Sequence, residues 1–290
     1  MFEKKTIILV TGSNGQLGKE FRKWATEQSK FEFLFTSRDT MDISKKDEVI
    51  HIFKKFRPDY CINCAAYTAV DQAEEEVDKA FLINESGLGN LIDACHTFNC
   101  KLFNYSTDYV YDSINDRPLL ESDPCHPKSI YGQSKRAGEL LLEKSNIQWV
   151  NIRVSWLYSS FNKNFVKTML RLGVSKAALT IVSDQIGSPT YSNDLVGITM
   201  AFINSNKEEH FGHHYNFSNE GETNWCDFAA AIFEETNIPC VVSETTTEAY
   251  GAPAPRPLWS VLSKEKIKNA LGIEIRSWRT ALQSCLKELK

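Results

Sequence analysis

The first part of the chain alternates short apolar runs with stretches of helical periodicity. Strands are predicted at 6–12, 32–37, 59–65, 101–107 and 149–156, and helices at 16–28, 45–56, 74–98 and 131–146. These strands are apolar at nearly every position, which is typical of a parallel sheet covered on both faces. The pattern therefore predicts an α/β fold with a Rossmann-like, doubly wound sheet.

The alternation becomes less regular after residue 156. Helical periodicity returns at 164–173 and 192–205, short strands are expected at 179–184 and 214–218, and Pro and Gly clusters follow near the C-terminus. We predict a dinucleotide-binding domain formed by 1–155 with 191–218. A smaller, mainly C-terminal lobe for the substrate would comprise 156–190 with 219–290.

Charge and hydropathy narrow the classes of partner. The net charge is −4 and no basic stripe is present, so neither nucleic acid nor an anionic membrane is expected as a partner. No apolar run has the length of a membrane span, and the short apolar run at the N-terminus is interpreted as a first strand rather than a signal peptide. The expected location is the cytoplasm.

Eight cysteines are spread along the chain, and two of them form a Cys-x-x-Cys pattern at Cys61 and Cys64. This spacing occurs in metal and redox sites, but here it lies within a predicted buried strand. Two residues that are three positions apart on a strand face opposite sides of the sheet, so the two thiols are not expected to bind one metal ion or form a disulfide. Buried core thiols are therefore the favoured interpretation. His213 and His214 have no evident ligand set around them, so no metal site is predicted.

A glycine-rich turn follows the first predicted strand and opens the first helix. Gly12, Gly15 and Gly18 allow a tight turn and a close approach of backbone to a pyrophosphate. The helix N-terminus adds N–H groups and a positive dipole end. The setting favours a dinucleotide site over the alternative, a glycine-rich turn without a ligand.

The end of the second predicted strand bears on the choice of cofactor. An acidic residue at this point binds the ribose of NAD, whereas an arginine accommodates the 2′-phosphate of NADP. Arg38 favours NADPH, and Asp42 keeps NADH as the alternative. Ile43 is included among the predicted cofactor contacts.

Tyr131 and Lys135 lie one helical turn apart, after the loop that follows the fourth predicted strand. That strand ends in Ser106, Thr107 and Asp108, at the edge of the sheet where ligands bind in doubly wound folds. Lowering the pKa of a phenol by about three units requires roughly 4 kcal/mol. An ammonium ~4 Å away supplies about that amount at an effective dielectric of ~20. Tyr131, Lys135 and Thr107 together therefore suit general acid catalysis of carbonyl reduction.

The order of motifs resembles that of the extended short-chain dehydrogenases/reductases and, within them, the dTDP-4-dehydrorhamnose reductases. The matching segments extend over nearly the whole chain: TGSNGQLG, RPDYCINCAAYTAVDQAE, YSTDYVY, YGQSKRAGE, RVSWLY, NFVKTMLRL, SDQIGSPT and PAPRP. The resemblance implies a catalytic set of Tyr131, Lys135 and Thr107. It implies cofactor contacts from Gly12, Gly15, Gln16, Leu17, Gly18, Ala65, Ala66 and Tyr67, with Tyr131 and Lys135 contributing again.

The resemblance also implies a site for a sugar nucleotide. Trp156, Asp108 and Thr107 would contact the substrate, with Arg256 at its nucleotide end. Asn164, Gln185 and Thr190 lie in matching segments without an assigned role. Some members of the family depend on Mg²⁺ at a dimer contact, but no acidic residue here is assigned to it, and Glu74–Glu76 is interpreted as a solvated helix face. A homodimer is the expected assembly.

The resemblance implies NADPH-dependent reduction of the C4 carbonyl of dTDP-4-dehydro-β-L-rhamnose, the last step of dTDP-L-rhamnose synthesis. Two alternatives stay open. One is a non-catalytic role like that of the regulatory β subunit of methionine adenosyltransferase, because a fold does not determine a function. The other is a different nucleotide-sugar reductase or epimerase.

Overall fold

The computed structural model describes residues 5–111 and 117–289. Its strands are β1 (Thr6–Thr11), β2 (Phe31–Phe35), β3 (Tyr60–Asn63), β4 (Lys101–Thr107), β5 (Trp149–Val154), β6 (Leu157–Tyr158), β7 (Ala178–Val182), β8 (Ile186–Gly187), β9 (Thr190–Tyr191), β10 (His213–Phe217), β11 (Thr223–Asn224), β12 (Val241–Thr245) and β13 (Trp259–Ser260). Six of them form a parallel sheet in the order β10-β5-β4-β3-β1-β2. The predicted fold class is confirmed.

Helices cover both faces of this sheet. They are α1 (Gln16–Ala25), α2 (Lys46–Phe56), α3 (Val70–Ala73), α4 (Val77–Phe81), α5 (Gly87–Phe98), α6 (Ile130–Lys144), α7 (Phe165–Ser175), α8 (Ser192–Ser205), α9 (Trp225–Thr236), α10 (Thr247–Tyr250), α11 (Glu265–Leu271) and α12 (Trp278–Glu288). One face packs against α1 and α8 through Phe21 and Leu195. The other packs against α2, α5 and α6 through Phe53, Leu91 and Leu142. The strand order reverses direction next to β1, where such sheets bind ligands.

A second hydrophobic core lies outside the main sheet. It is formed mainly by α7, α9 and α12, with Val166, Phe228, Ile232 and Leu282 fully buried. The helix α11 differs from its sequence neighbours, because Ile267 packs into the core of the main sheet. The predicted division into 1–155 with 191–218 and 156–190 with 219–290 stays a prediction.

The predicted helical stretch at 74–98 is confirmed from Val77 onwards, where α4, a π-helical turn at Leu82–Ser86 and α5 follow one another with helical backbone. Residues 74–76 instead form a turn between α3 and α4. The interpretation of Glu74–Glu76 as a helix face is therefore wrong, and two of these carboxylates have specific partners. Glu74 accepts a hydrogen bond from the backbone N–H of Ile130, and Glu76 accepts one from the hydroxyl of Tyr67. Local periodicity cannot show such long-range partners.

Other boundaries differ by a few residues. The first helix ends at Ala25 and the third strand at Asn63, both earlier than predicted. The second helix ends as expected before Pro58, and Arg57 adopts a left-handed conformation there. Within the described residues, no helix is long and apolar enough to cross a membrane.

Candidate active site

The three glycines of the phosphate loop have different structural roles. Gly12 has φ +59°, and a Cβ there would lie 2.5 Å from the backbone nitrogen of Ala65. A Cβ at Gly18 would lie 2.5 Å from Cα of Ser13, so this glycine lets α1 pack against the loop. Gly15 has an extended backbone and lines the open cleft. Two glycines therefore shape the loop, while the third leaves its surface accessible to a ligand.

The helix α6 carries Tyr131 and Lys135 into the same cleft. Its N-terminus is capped by Ser129, whose hydroxyl accepts a hydrogen bond from the backbone N–H of Gly132. A Cβ at Gly132 would lie only 2.5 Å from the carbonyl oxygen of Tyr109. This glycine allows α6 to approach the end of β4, which brings Tyr131 beside Thr107. The sequence analysis missed Gly132, although it directly follows Tyr131 in the motif.

Thr107, Asp108 and Tyr131 form a buried polar group at the end of β4. The Thr107 hydroxyl donates to the carboxylate of Asp108 at 3.0 Å and accepts a hydrogen bond from the backbone N–H of Tyr109. Burial raises the pKa of Asp108 to about 6, although hydrogen bonds from Ser260 and Thr107 oppose the shift. The second carboxylate oxygen of Asp108 is buried without a hydrogen-bond partner among the described residues.

The pKa of Tyr131 moves in the direction opposite to the one that the sequence predicts. Burial raises it above its ordinary value, the hydrogen bond with Thr107 lowers it, and the charge of Asp108 raises it again. The charge of Lys135 is not among the causes of this shift, and its ammonium donates to the carbonyl oxygen of Tyr105 at 2.7 Å. At neutral pH the phenol is therefore protonated and has a proton to donate.

Burial also shifts the pKa of Lys135. It lowers the pKa of the ammonium to about 8, and the nearby carboxylate of Glu139 opposes this shift. Glu139 lies one turn further along α6 and forms a bidentate ion pair with Arg153, at 2.9 and 2.8 Å. Burial favours the neutral form of Glu139, but Arg153 outweighs it and lowers the pKa to about 2. The sequence analysis missed this pair, because its partners come from different elements.

The cleft brings most of the predicted residues together. It has a volume of about 490 Å³ and lies at the C-terminal ends of β3, β4 and β5. The predicted residues that line it are Gly15, Gln16, Leu17, Ala66, Thr107, Asp108, Tyr131, Lys135, Trp156 and Arg256. The first eight form what we call the sheet-side wall. The lobe-side wall consists of Trp156, Lys163, Trp225 and Arg256.

The remaining predicted cofactor residues lie outside the lining of this cleft. Gly12 and Gly18 shape the loop beneath it, and the backbone N–H of Ala65 bonds to Thr11 and Asn63. The side chain of Ile43 is buried in the core on the α5 face. The hydroxyl of Tyr67 donates to Glu76 instead of facing the cleft.

Arg38 and Asp42 lie beyond the second strand. The side chain of Arg38 is 75% exposed and contacts Asp42 over 3.5 Å. Asp42 itself accepts hydrogen bonds from the backbone N–H and the hydroxyl of Ser44. Arg38 is therefore accessible to an anionic ligand.

Two tryptophans dominate the lobe-side wall. Trp156 and Trp225 are stacked with ring centroids 3.7 Å apart, and the indole N–H of Trp225 donates to Gln185. Trp156 has φ +49°, and a Cβ on Gly187 would lie 2.7 Å from its ring. The sequence analysis missed Trp225, which lies far from Trp156 along the chain.

Arg256 spans the mouth of the cleft. Its guanidinium makes a bidentate contact with Asp71 at 2.7 and 2.8 Å and donates to the hydroxyl of Tyr109 at 3.1 Å. The ring of Tyr109 contacts that of Tyr131 edge-on. Trp225 and Arg256 also line an adjoining apolar cavity of about 480 Å³, beside Phe165, Met169 and Ile181.

The other residues from matching segments have structural partners. Asn164 caps α7 and donates to the side chain of Gln16, and the hydroxyl of Thr190 donates to the carbonyl oxygen of Ser155. Gln185 accepts from Trp225 and donates to Thr247. Of the three, Asn164 directly supports the phosphate loop.

The residues present do not favour a metal site. All eight cysteines are free, and Cys61 and Cys64 pack into different cores, as predicted. The prediction that His214 has no possible metal ligands around it is wrong, because a ring nitrogen of His214 lies within 4.8 Å of carboxylate oxygens of Glu139 and Glu143. Both carboxylates, however, already bind Arg136, and Glu139 also binds Arg153. These guanidinium groups occupy the oxygens that a cation would need.

Fold and cleft together define the class of protein, an extended short-chain dehydrogenase/reductase with a dinucleotide site. The chain belongs to the RmlD substrate binding domain family, whose model matches residues 6–290. It is 41% identical to the spore coat polysaccharide biosynthesis protein SpsK of Bacillus subtilis, over 98% of each chain. It is 38% identical to dTDP-4-dehydrorhamnose reductase of Aggregatibacter actinomycetemcomitans, over 96% of this chain and 97% of the other.

A solved structure extends this likeness to the fold. The dTDP-4-dehydrorhamnose reductase of Bacillus anthracis in complex with NADP superposes with a TM-score of 0.93 at 35% identity, over 98% of this chain and 100% of the other. The predicted resemblance to the dTDP-4-dehydrorhamnose reductases is confirmed. The chain is an NAD(P)H-dependent oxidoreductase of this family.

Proposed function

We propose that the protein reduces the C4 carbonyl of dTDP-4-dehydro-β-L-rhamnose with NADPH and forms dTDP-L-rhamnose. The observation that carries the proposal is the convergence of Tyr131, Thr107 and Lys135 with the phosphate loop in one cleft. The relatives named dTDP-4-dehydrorhamnose reductase support the choice of substrate. A homodimer stays a prediction.

The residues of the sheet-side wall suit a cofactor with a diphosphate. Gly15 leaves room at its surface, and the positive end of the α1 dipole favours an anion beside it. When bound, the reduced nicotinamide supplies the hydride that adds to C4. We propose NADPH over NADH because Arg38 is exposed and available for the 2′-phosphate.

Tyr131 then supplies the proton in our proposal. Its hydroxyl gives a proton to the carbonyl oxygen as the C4–H bond forms, so that the oxygen becomes a hydroxyl group. Thr107 lines the cleft together with Tyr131 and is suited to hold the same substrate oxygen. Lys135, when protonated, stabilises the phenolate that is left behind. The hydrogen bond to Tyr105 uses one of the three N–H donors of the ammonium and leaves its charge available for this role.

Turnover with dTDP-4-dehydro-β-L-rhamnose and NADPH, followed by NADPH absorbance, tests the proposal. Tyr131→Phe keeps the ring and removes only the acid, so kcat should fall by about 10²–10⁴ while NADPH affinity stays unchanged. Lys135→Met should lower kcat too. The double variant should lose less than the product of the two single losses, because the residues act as a unit.

Each alternative gives a different result in this assay. A wild-type protein that binds NADPH but does not turn over would favour the non-catalytic role. Cofactor that stays bound through purification and through the reaction would favour an epimerase. Full activity of Tyr131→Phe would exclude the proposed proton donor even if the reduction itself occurs.

A further inference from the structure

The loop 159–164, which we call the bridging loop, connects the lobe side of the cleft to the phosphate loop. The side-chain amide of Asn162 donates to the carbonyl oxygen of Asn14 at 2.8 Å, and its oxygen accepts from the ammonium of Lys19 at 2.7 Å. Asn164 donates to the side-chain oxygen of Gln16 at 2.9 Å. Three side-chain hydrogen bonds thus hold the bridging loop against the turn that contains Gly15.

The bridging loop is also held at both of its own ends. At its start, the hydroxyl of Ser159 donates to the buried carboxylate of Glu20 on α1. At its end, Asn164 caps α7 by accepting from the backbone N–H of Lys167. The position of the residue between Asn162 and Asn164 is therefore restricted by contacts on each side.

That residue is Lys163, which lines the cleft together with Gly15, Gln16 and Leu17. Three cations line the cleft, and two of them already have partners. Lys135 donates to the carbonyl oxygen of Tyr105, and Arg256 is paired with Asp71. Within 5–111 and 117–289, Lys163 alone of the three makes neither a hydrogen bond nor an ion pair.

The charge balance at this end of the cleft favours an anionic ligand. Asp108 is the only carboxylate among the described residues that line the cleft, and it lies at the end of β4 beside Thr107. Lys163 instead lies between two residues that contact the phosphate loop, whose backbone and helix dipole favour phosphate groups. A free ammonium held beside such a loop is a suitable point charge for phosphate oxygens.

We propose that Lys163 binds a diphosphate group and that the bridging loop positions it for this contact. The proposal rests on the proposed function, in which two ligands carry a diphosphate: the dinucleotide cofactor and the sugar nucleotide. In both ligands the group that Lys163 would contact is a diphosphate. A contact with the cofactor would affect NADPH and NADH equally, whereas a contact with the substrate would affect a thymidine nucleotide.

Two variants of Lys163 and one matched control test the proposal. Lys163→Met removes the charge and keeps most of the stem, and Lys163→Arg keeps the charge. Lys176→Met makes the same change of charge at the opposite end of α7, at an exposed position outside the cleft. Affinities are measured by titration with NADPH, with NADH and with dTDP alone.

Lys163→Met should weaken either both cofactors or dTDP by about tenfold, in line with the loss of one charge-assisted contact. Lys163→Arg should retain most of the affinity. Added salt should weaken the affected ligand less in Lys163→Met than in the wild type, because one screened ion pair is missing. Affinities equal to those of Lys176→Met for all three ligands would overturn the proposal.

The outcome is separable from that of the proposed function. Binding of NADPH and dTDP needs no turnover, so a protein inactive with dTDP-4-dehydro-β-L-rhamnose still reports on Lys163. Conversely, an active wild type whose Lys163→Met variant binds all ligands normally would retain the reductase function and lose this contact.

Discussion

The two walls of the cleft are built in different ways. Most of the sheet-side wall lies at the C-terminal end of a parallel strand, as with Gly15 after β1 and Thr107 on β4, and the start of α6 completes it with Tyr131 and Lys135. The lobe-side wall instead collects Trp156, Lys163, Trp225 and Arg256 from separate loops and helix ends. The first wall depends on sheet topology, and the second depends on how a separate hydrophobic core packs beside it.

This difference separates two tasks. The sheet-side wall holds the groups suited to proton transfer and to the cofactor diphosphate. The lobe-side wall offers an aromatic stack, an adjoining apolar cavity and an arginine at the mouth, which are suited to choosing a substrate. Changes in the first wall should therefore alter chemistry and cofactor binding, and changes in the aromatic stack of the second should alter substrate affinity.

The largest effect is expected at Gly15. Gly15→Val should weaken NADPH by about a hundredfold or more, because the new side chain occupies the space left for the diphosphate. The extended backbone of Gly15 is open to other residues, and a Cβ there would lie 3.2 Å from the carbonyl oxygen of Gly12, so a small local shift should preserve the fold. Fluorescence titration measures the affinity, and Gly197→Val, whose Cβ meets open space, is the matched control. Equal NADPH affinities of the two variants would show that the sheet-side wall does not hold the cofactor diphosphate.

Arg38 tests whether the sheet side also selects the cofactor. Arg38→Ala should weaken NADPH by about ten- to a hundredfold, the loss expected for one charged phosphate contact, and leave NADH nearly unchanged. NADH serves as the internal control, since it lacks only the 2′-phosphate. Equal losses for both cofactors would show that Arg38 does not recognise this group.

The pH dependence should follow Lys135. Its pKa in the fold is about 8, below the ordinary value, so the ammonium is lost as the pH rises through 8. If the charged form is required, kcat/KM should fall by roughly tenfold per pH unit above that value. A pH profile of kcat/KM for the wild type measures this decrease. A Lys135→Arg variant that retains activity should not show the decrease, because a guanidinium stays charged. A wild-type profile that is flat to pH 10 would contradict the assignment.

The smallest effect is expected on the lobe side. Trp225→Leu keeps an apolar side chain but removes the stack on Trp156, so the KM for the sugar nucleotide should rise by about two- to tenfold. Steady-state kinetics at saturating NADPH measure it. Cofactor affinity should not change, and a loss of NADPH binding of similar size would mean that the two walls do not act separately.

Part of the site was predictable because its determinants are local. The glycine spacing, the Tyr131–Lys135 spacing and the end of β4 each lie within one short segment, and parallel topology brings such segments to one edge. The predicted helical stretch at 74–98 was wrong only at its start, which lies at Val77. There 74–76 form a turn in which Glu74 and Glu76 bind Ile130 and Tyr67, partners that local periodicity does not show.

The sequence by itself determined the fold class, the phosphate loop and the Tyr131–Lys135 pair, because hydrophobic period and residue spacing act over a few positions. Only the tertiary structure decided the rest. It paired Glu139 with Arg153, stacked Trp225 on Trp156 and set Lys163 beside Gly15. It also set the direction of the Tyr131 pKa, because burial and neighbouring charges depend on residues distant in the chain.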